Sequence, residues 1–262
     1  MKIYIIADME GISGIRRPQQ VDPGDPDYIS TGRKFLTGDV NAAVAGAFEG
    51  GATEVLVCDW HGGGYHILLD ELDPRAQVER TVHNRNMLAG LDESFAGLFC
   101  VGFHAMAGTI RAFQDHTMVG AQWYNYYVNG RKTGECGMAA IWAGHWGASV
   151  LMVTGDTAAC AEAREFLGPD AVTVPVKEGL TRSIARVIQP ARAQEMIREG
   201  ARKAMSLVGK IPPYKIDLPA TIRLELTRSD YADAHDGKPG ITRLDARTVE
   251  MVVDSALDIY GF

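Results

Sequence analysis

Positive charge is the scarcer kind in this chain. Its 26 Lys and Arg are outnumbered by 33 Asp and Glu, giving a formal charge of −7 over 262 residues. No stretch gathers cations as a nucleic-acid-binding face does, and no block of like charge reads as an interaction tail. Cysteine is equally sparse: Cys58, Cys100, Cys136 and Cys160 are scattered and form no CxxC pair. They read as small buried hydrophobes of a protein kept in a reducing compartment. No apolar run approaches the roughly 20 residues of a membrane span. The opening MKIYIIADMEG meets an acid too early to be a signal peptide. A cytoplasmic protein is expected. Also missing are the GxxxxGK[ST] phosphate loop, the GxGxxG fingerprint, the GxSxG elbow and the HExxH helix, so those chemistries have no foothold.

What is present is a repeated design, an apolar segment running into a polar or Gly-rich turn. It occurs at Lys2 to Asp8, Glu54 to His61, Leu98 to His104 and Ser149 to Asp156. Near-continuous apolar character, without alternation, is what a sheet buried on both faces requires. Helical patterns separate these runs. One spans Thr37 to Phe48 and stops at Gly50-Gly51; another follows Asp156, a plausible N-cap, and stops at Gly168. The expected class is α/β, with a mostly parallel sheet sandwiched by helices. Asn129-Gly130, between β-prone runs, marks a hairpin. Beyond Pro190 the pattern changes to a helix over Ala191 to Val208, strands in ATIRLELT and TVEMVV, and a terminal helix. This predicts an α/β unit over residues 1–185, with a hairpin insertion at about 110–135, and a smaller C-terminal α+β unit over 186–262.

Ligands gather at the carboxyl ends of strands in open α/β sheets. Here the first run delivers Asp8 and Glu10, the second Asp59 and His61, the third His104. Each residue has an ordinary structural reading, Asp8 as a turn or cap acid and His104 as a core histidine bonded to a carbonyl. Three strand ends that agree outweigh those readings. Carboxylates and imidazoles aimed at one place suit zinc and similar divalent ions, because a cation relieves the repulsion among the acids. This many ligands can serve two ions that share a carboxylate. His116, in FQDHTMVG, is the candidate proton donor and acceptor, and Glu135 stands where the hairpin gives way to a helix. His66, His83, His145 and His235 read as structural or solvated.

The motifs DMEGISG, DWHGGG, VGFHAMAG, DHTM and GECGMAA follow one another in an order and spacing that resembles the zinc-dependent D-aminopeptidase family. That resemblance implies a dinuclear zinc site of Asp8, Glu10, His61, His104 and Glu135, with Asp8 shared between the ions and His116 catalytic. It also implies a homo-oligomer of two stacked pentamers, a decamer, whose sites face an internal cavity and act on short peptides. The activity it implies is hydrolysis of the N-terminal peptide bond of D-residue peptides. Two other readings stay open at this point, a non-catalytic dipeptide-binding protein and a metal-dependent amidase for L- or β-amino peptides. The stretch WHGGG, with Trp60 and Gly62 to Gly64, departs from the family pattern beside the expected substrate pocket.

Overall fold

The computed structural model describes residues 1–81 and 87–262; His83 lies outside them. In chain order the elements are β1 (Lys2–Ala7), α1 (Arg33–Glu49), β2 (Glu54–Asp59), β3 (Ala76–Arg80), β4 (Phe95–Phe103), β5 (Trp123–Val128) and β6 (Arg131–Lys132). Then come α2 (Glu135–His145), β7 (Val150–Asp156), α3 (Thr157–Leu167), β8 (Val172–Thr181), β9 (Ile184–Val187) and α4 (Pro190–Met205). The chain finishes with β10 (Ala220–Leu226), α5 (Ser229–Asp233), β11 (Ile241–Arg243) and β12 (Thr248–Val253).

Seven strands form one sheet in the order β3-β2-β1-β4-β7-β8-β9. All its pairings are parallel except β8 with β9. The apolar runs explain why the middle of this sheet is buried on both faces. Ile3, Ile5 and Ala7 pack on one side with Val40 and Val44 of α1 and Ile197 of α4. Tyr4 and Ile6 pack on the other with Met138 and Trp142 of α2. Asp156 caps α3 as its position suggests, its Oδ1 accepting from the Ala159 amide at 2.7 Å.

The hairpin at Asn129-Gly130 forms, but its partners lie far along the chain. β5 pairs antiparallel with β10 on one side and β6 on the other, in a second sheet ordered β11-β12-β10-β5-β6. Its apolar face, with Tyr126, Ile222, Leu224 and Val249, joins the core beneath α2. Helix α4, by contrast, shares the other core with α1. The terminal helix expected from sequence is only a 3-10 turn, Ala256–Asp258, capped by the Ser255 side chain. Gly261 stands three residues beyond it, and the low helix propensity of glycine opposes continuing the turn as a helix.

Candidate metal centre

Four segments meet where β1, β2 and β4 end. Asp8 and Glu10 follow β1, His61 opens a 3-10 turn after β2, and His104 follows β4. Glu135 is the first residue of α2, where an acid is favoured by the helix dipole. Close backbone approach makes this convergence achievable. The Gly11 amide donates to the Gly102 carbonyl at 2.8 Å, and a Cβ on Gly11 would sit 2.1 Å from the Phe103 oxygen. Gly14, at φ +77, completes the turn in a conformation that glycine adopts readily.

The distances divide the cluster in two. His61 Nδ1 lies 3.3 Å from Asp8 Oδ1 and 3.1 Å from Glu10 Oε2. His104 Nε2 lies 3.3 Å from Asp8 Oδ2 and 3.3 Å from Glu135 Oε1. Each imidazole is held through its other nitrogen. The Val21 carbonyl accepts from His61 Nε2 at 3.2 Å, and the Ala105 carbonyl accepts from His104 Nδ1 at 3.0 Å. Carbonyls accept only, so these two nitrogens carry protons, and the nitrogens facing the acids are the ones whose lone pairs a metal would take once their protons leave. Asp8 Oδ2 and His104 Nε2 are buried without hydrogen-bond partners, an arrangement that a cation satisfies. Two sets, Asp8–Glu10–His104 and His104–His116–Glu135, bring their donor atoms within 4.8 Å of one another. Carboxylate and imidazole donors in this number fit zinc.

The electrostatics show the same demand for positive charge. Burial pushes Asp8 up to about 7, with Glu10 adding to the effect. Burial would lower His61 and His104, but the facing acids hold both well above the ordinary histidine value. Burial likewise opposes ionisation of Glu135, yet His104 and His116 bring it down to about 2.

His116 comes to the same place from the loop after β4. Its ring stacks on His104 with centroids 3.8 Å apart, and Nε2 is 4.0 Å from Glu135 Oε1. The Gln114 carbonyl accepts from its Nδ1 at 2.8 Å, which leaves Nε2 free. Burial, then His104, lowers its pKa below the ordinary value.

Asp59, weighed with the strand-end candidates, turns away, its Oδ2 accepting from the His66 and Ile67 amides at 2.6 and 2.9 Å. His66 is buried, within reach of the Tyr28 hydroxyl at 2.6 Å, and its ring edge braces His61. Sequence reasoning missed two donors to Glu135. Trp60 Nε1 donates to Oε2 at 3.0 Å and the Met118 amide to Oε1 at 2.7 Å. Trp60 precedes His61 directly, so the same turn that carries the imidazole also carries a bond to Glu135.

A cavity of about 180 Å³ opens over these groups, with Trp60, Met87 and Met118 as its apolar wall. A larger one, about 610 Å³, lies beside β2 and β3 among Arg33, Tyr65, Leu69 and Arg80. Among the described residues it is lined by no imidazole and, of the strand-end candidates, by Asp59 alone, so the smaller cavity is where chemistry is concentrated.

Comparison with known proteins agrees with this geometry. The family model for D-aminopeptidase, peptidase family M55, matches residues 1–262. A D-aminopeptidase of Bacillus subtilis (strain 168) is 32% identical over 262 residues, covering 99% of this chain and 94% of that one. A solved structure described as the Zn-dependent D-aminopeptidase DppA from Bacillus subtilis, a self-compartmentalizing protease, superposes with a TM-score of 0.94 at 32% identity. That superposition covers 100% of this chain and 94% of the other. With its acids, imidazoles and open cavity at the ends of a parallel sheet, the chain belongs to the D-aminopeptidase family.

Proposed function

We propose that the chain is an aminopeptidase whose Asp8, Glu10, His61, His104 and Glu135 hold two zinc ions, with Asp8 shared. The observation that carries this reading is the split at Asp8, one oxygen facing His61 and the other His104. Glu10 accompanies the first imidazole and Glu135 the second. When bound, such ions supply Lewis acidity and a nucleophile available near neutral pH.

The remaining work falls to side chains. His116 presents Nε2 to the cavity with its tautomer set by the Gln114 carbonyl, so it can hold a proton at that atom and deliver it to the leaving amine. Glu135 cannot rotate away, because Trp60 and Met118 grip both its oxygens. The cavity, about 180 Å³, is smaller than the ~300–1,000 Å³ usual for drug-sized ligands, which suits a short peptide entering by its first residue. The substrate is an N-terminal D-residue, as the names of the family and of its relatives support. The solved relative is self-compartmentalizing, which supports a ring-like homo-oligomer here, two stacked pentamers in our reading. Four free cysteines support a reducing, cytoplasmic site of action.

Elemental analysis of the zinc-loaded protein should find two ions per chain, and D-aminoacyl amides should be cleaved in preference to their L forms. One ion per chain overturns the shared carboxylate; equal cleavage of both series overturns the D preference.

A further inference from the structure

Lys177 interrupts the apolar run of β8 and is only 2% exposed. Among the described residues no acid pairs with it at ion-pair distance. Its Nζ donates instead to two backbone carbonyls, Glu10 at 2.6 Å and Ile15 at 2.7 Å. Those carbonyls stand at either end of the turn that leaves the cluster. The Phe113 ring covers the amine from another side, with its centroid 5.0 Å away.

Phe113 belongs to the loop that carries His116. Its amide donates to Asp156 Oδ2 at 2.8 Å, and its neighbour Gln114 supplies the carbonyl that holds His116. That loop needs outside support, because Arg111, Gln114 and Met118 all have left-handed backbone, at φ 56, 51 and 54. Gly179, two residues beyond Lys177 on the same strand, backs the loop so tightly that a Cβ would lie 2.6 Å from the Arg111 oxygen and the Phe113 nitrogen.

The charged neighbours of the amine are committed elsewhere. Asp39 accepts from the Ser13 amide and hydroxyl at 2.8 and 2.6 Å. Asp156 accepts from the Ala159 and Phe113 amides. An apolar residue at 177 would suit the strand and avoid the cost of burying an amine that lacks an ionic partner. The amine is therefore placed for what it holds.

We propose that Lys177 is a positioning residue, which sets the turn carrying Glu10 against the Phe113–His116 loop and so fixes the spacing between the zinc ligands and His116. This rests on the two-zinc reading above.

The test compares Lys177→Met, close in shape but without donors, with Lys177→Arg, which keeps them. Zinc affinity is read by chelator competition, and ligand geometry by the visible spectrum of the cobalt(II)-substituted protein. Losing a group that orients ligands typically costs about 10–100-fold in metal affinity or activity. Lys177→Met should be folded and bind zinc weaker by about that factor, with an altered cobalt spectrum and reduced kcat at little-changed KM. Lys177→Arg should recover part of each loss. An unfolded Lys177→Met beside a folded, zinc-binding Lys177→Arg supports the proposal equally. A folded Lys177→Met with wild-type zinc affinity and cobalt spectrum overturns it, and so does loss of folding in both variants. The wild-type zinc count is read separately: one ion per chain there defeats the two-zinc reading, while the comparison between variant and wild type still judges the lysine.

Discussion

Glu135 shows how little freedom the site leaves a single side chain. Both its oxygens accept hydrogen bonds from Trp60 and Met118 while one also faces His104. Trp60→Phe keeps an aromatic ring but loses the pyrrole part that carries the donor, and a hydrogen bond to a charged group contributes about 1.5–3 kcal/mol. We expect kcat/KM to drop by about tenfold or more, since ~1.4 kcal/mol is one decade; an unchanged value would show that the Met118 amide suffices. His116→Ala should keep the wild-type zinc count and lose roughly 10²–10⁴ in kcat, the range of positioned acid–base catalysis. Asp39 gives a pH signature away from the ligands. Burial raises its carboxyl from 3.8 to about 6, against the Ser13 hydrogen bonds and Lys177. Between those values the folded chain holds a proton that the unfolded chain has released, so this group's contribution falls as pH rises through the window and levels above it. The full span is at most about 3 kcal/mol at ~1.36 kcal/mol per pH unit. Asp39→Asn removes it, so denaturant unfolding at about pH 4.5, low in that window, and about pH 7.5, above it, should show the variant gaining on the wild type at the higher pH. A constant difference would assign Asp39 an ordinary pKa.

Among the elements, the turn after β1 leaves no room for a side chain at Gly11. A methyl on Gly11 meets backbone at 2.1 Å from the Phe103 oxygen and 2.5 Å from the Gly102 carbon, neither of which can swing aside. Gly11→Ala should therefore lose about 1–3 kcal/mol, the usual cost of overpacking, and should release zinc. Gly24→Ala meets only the side chain of Asp22 and serves as the control. Thermal melts with and without zinc read both. Elements of this kind also mark what the sequence could disclose. β1, β2, β4 and β7 were legible because a strand buried on both faces has to be apolar throughout, and Asp8, Glu10, His61 and His104 stood out by ending three of those runs. β8 and β9 were not, since Pro175, Lys177 and Arg186 break the pattern. Trp60 and Lys177 were hidden for a different reason. Their partners lie 75, 162 and 167 residues away, where no local pattern reaches. Glu135 and His116 were candidates by residue type and position, and the family resemblance gave them the roles of ligand and catalytic residue.

For the molecule as a whole, the second sheet has a bearing on synthesis and assembly of the site. Every proposed ligand, together with His116, lies between residues 8 and 135, so the last of them leaves the ribosome with almost half the chain still to come. Yet β5 and β6 sit in sequence between His116 and Glu135, and they close onto β10; Asn129 and Thr221 bond across 92 residues. At ~5–20 residues per second that partner arrives roughly 5 to 20 seconds later. Until then β5 presents an open sheet edge where β10 will pair, and the segment linking the histidine to the helix acid rests on α2 alone. A chain ending near residue 215 contains the entire ligand set and should still fail to retain zinc through gel filtration, whereas the full chain keeps it. Supplying residues 216–262 as a separate peptide should restore retention if pairing with β5 is all that is missing. The C-terminal strands would then act as the latch that decides when a nascent chain becomes a peptidase, a useful delay for an enzyme made among peptides it could cut.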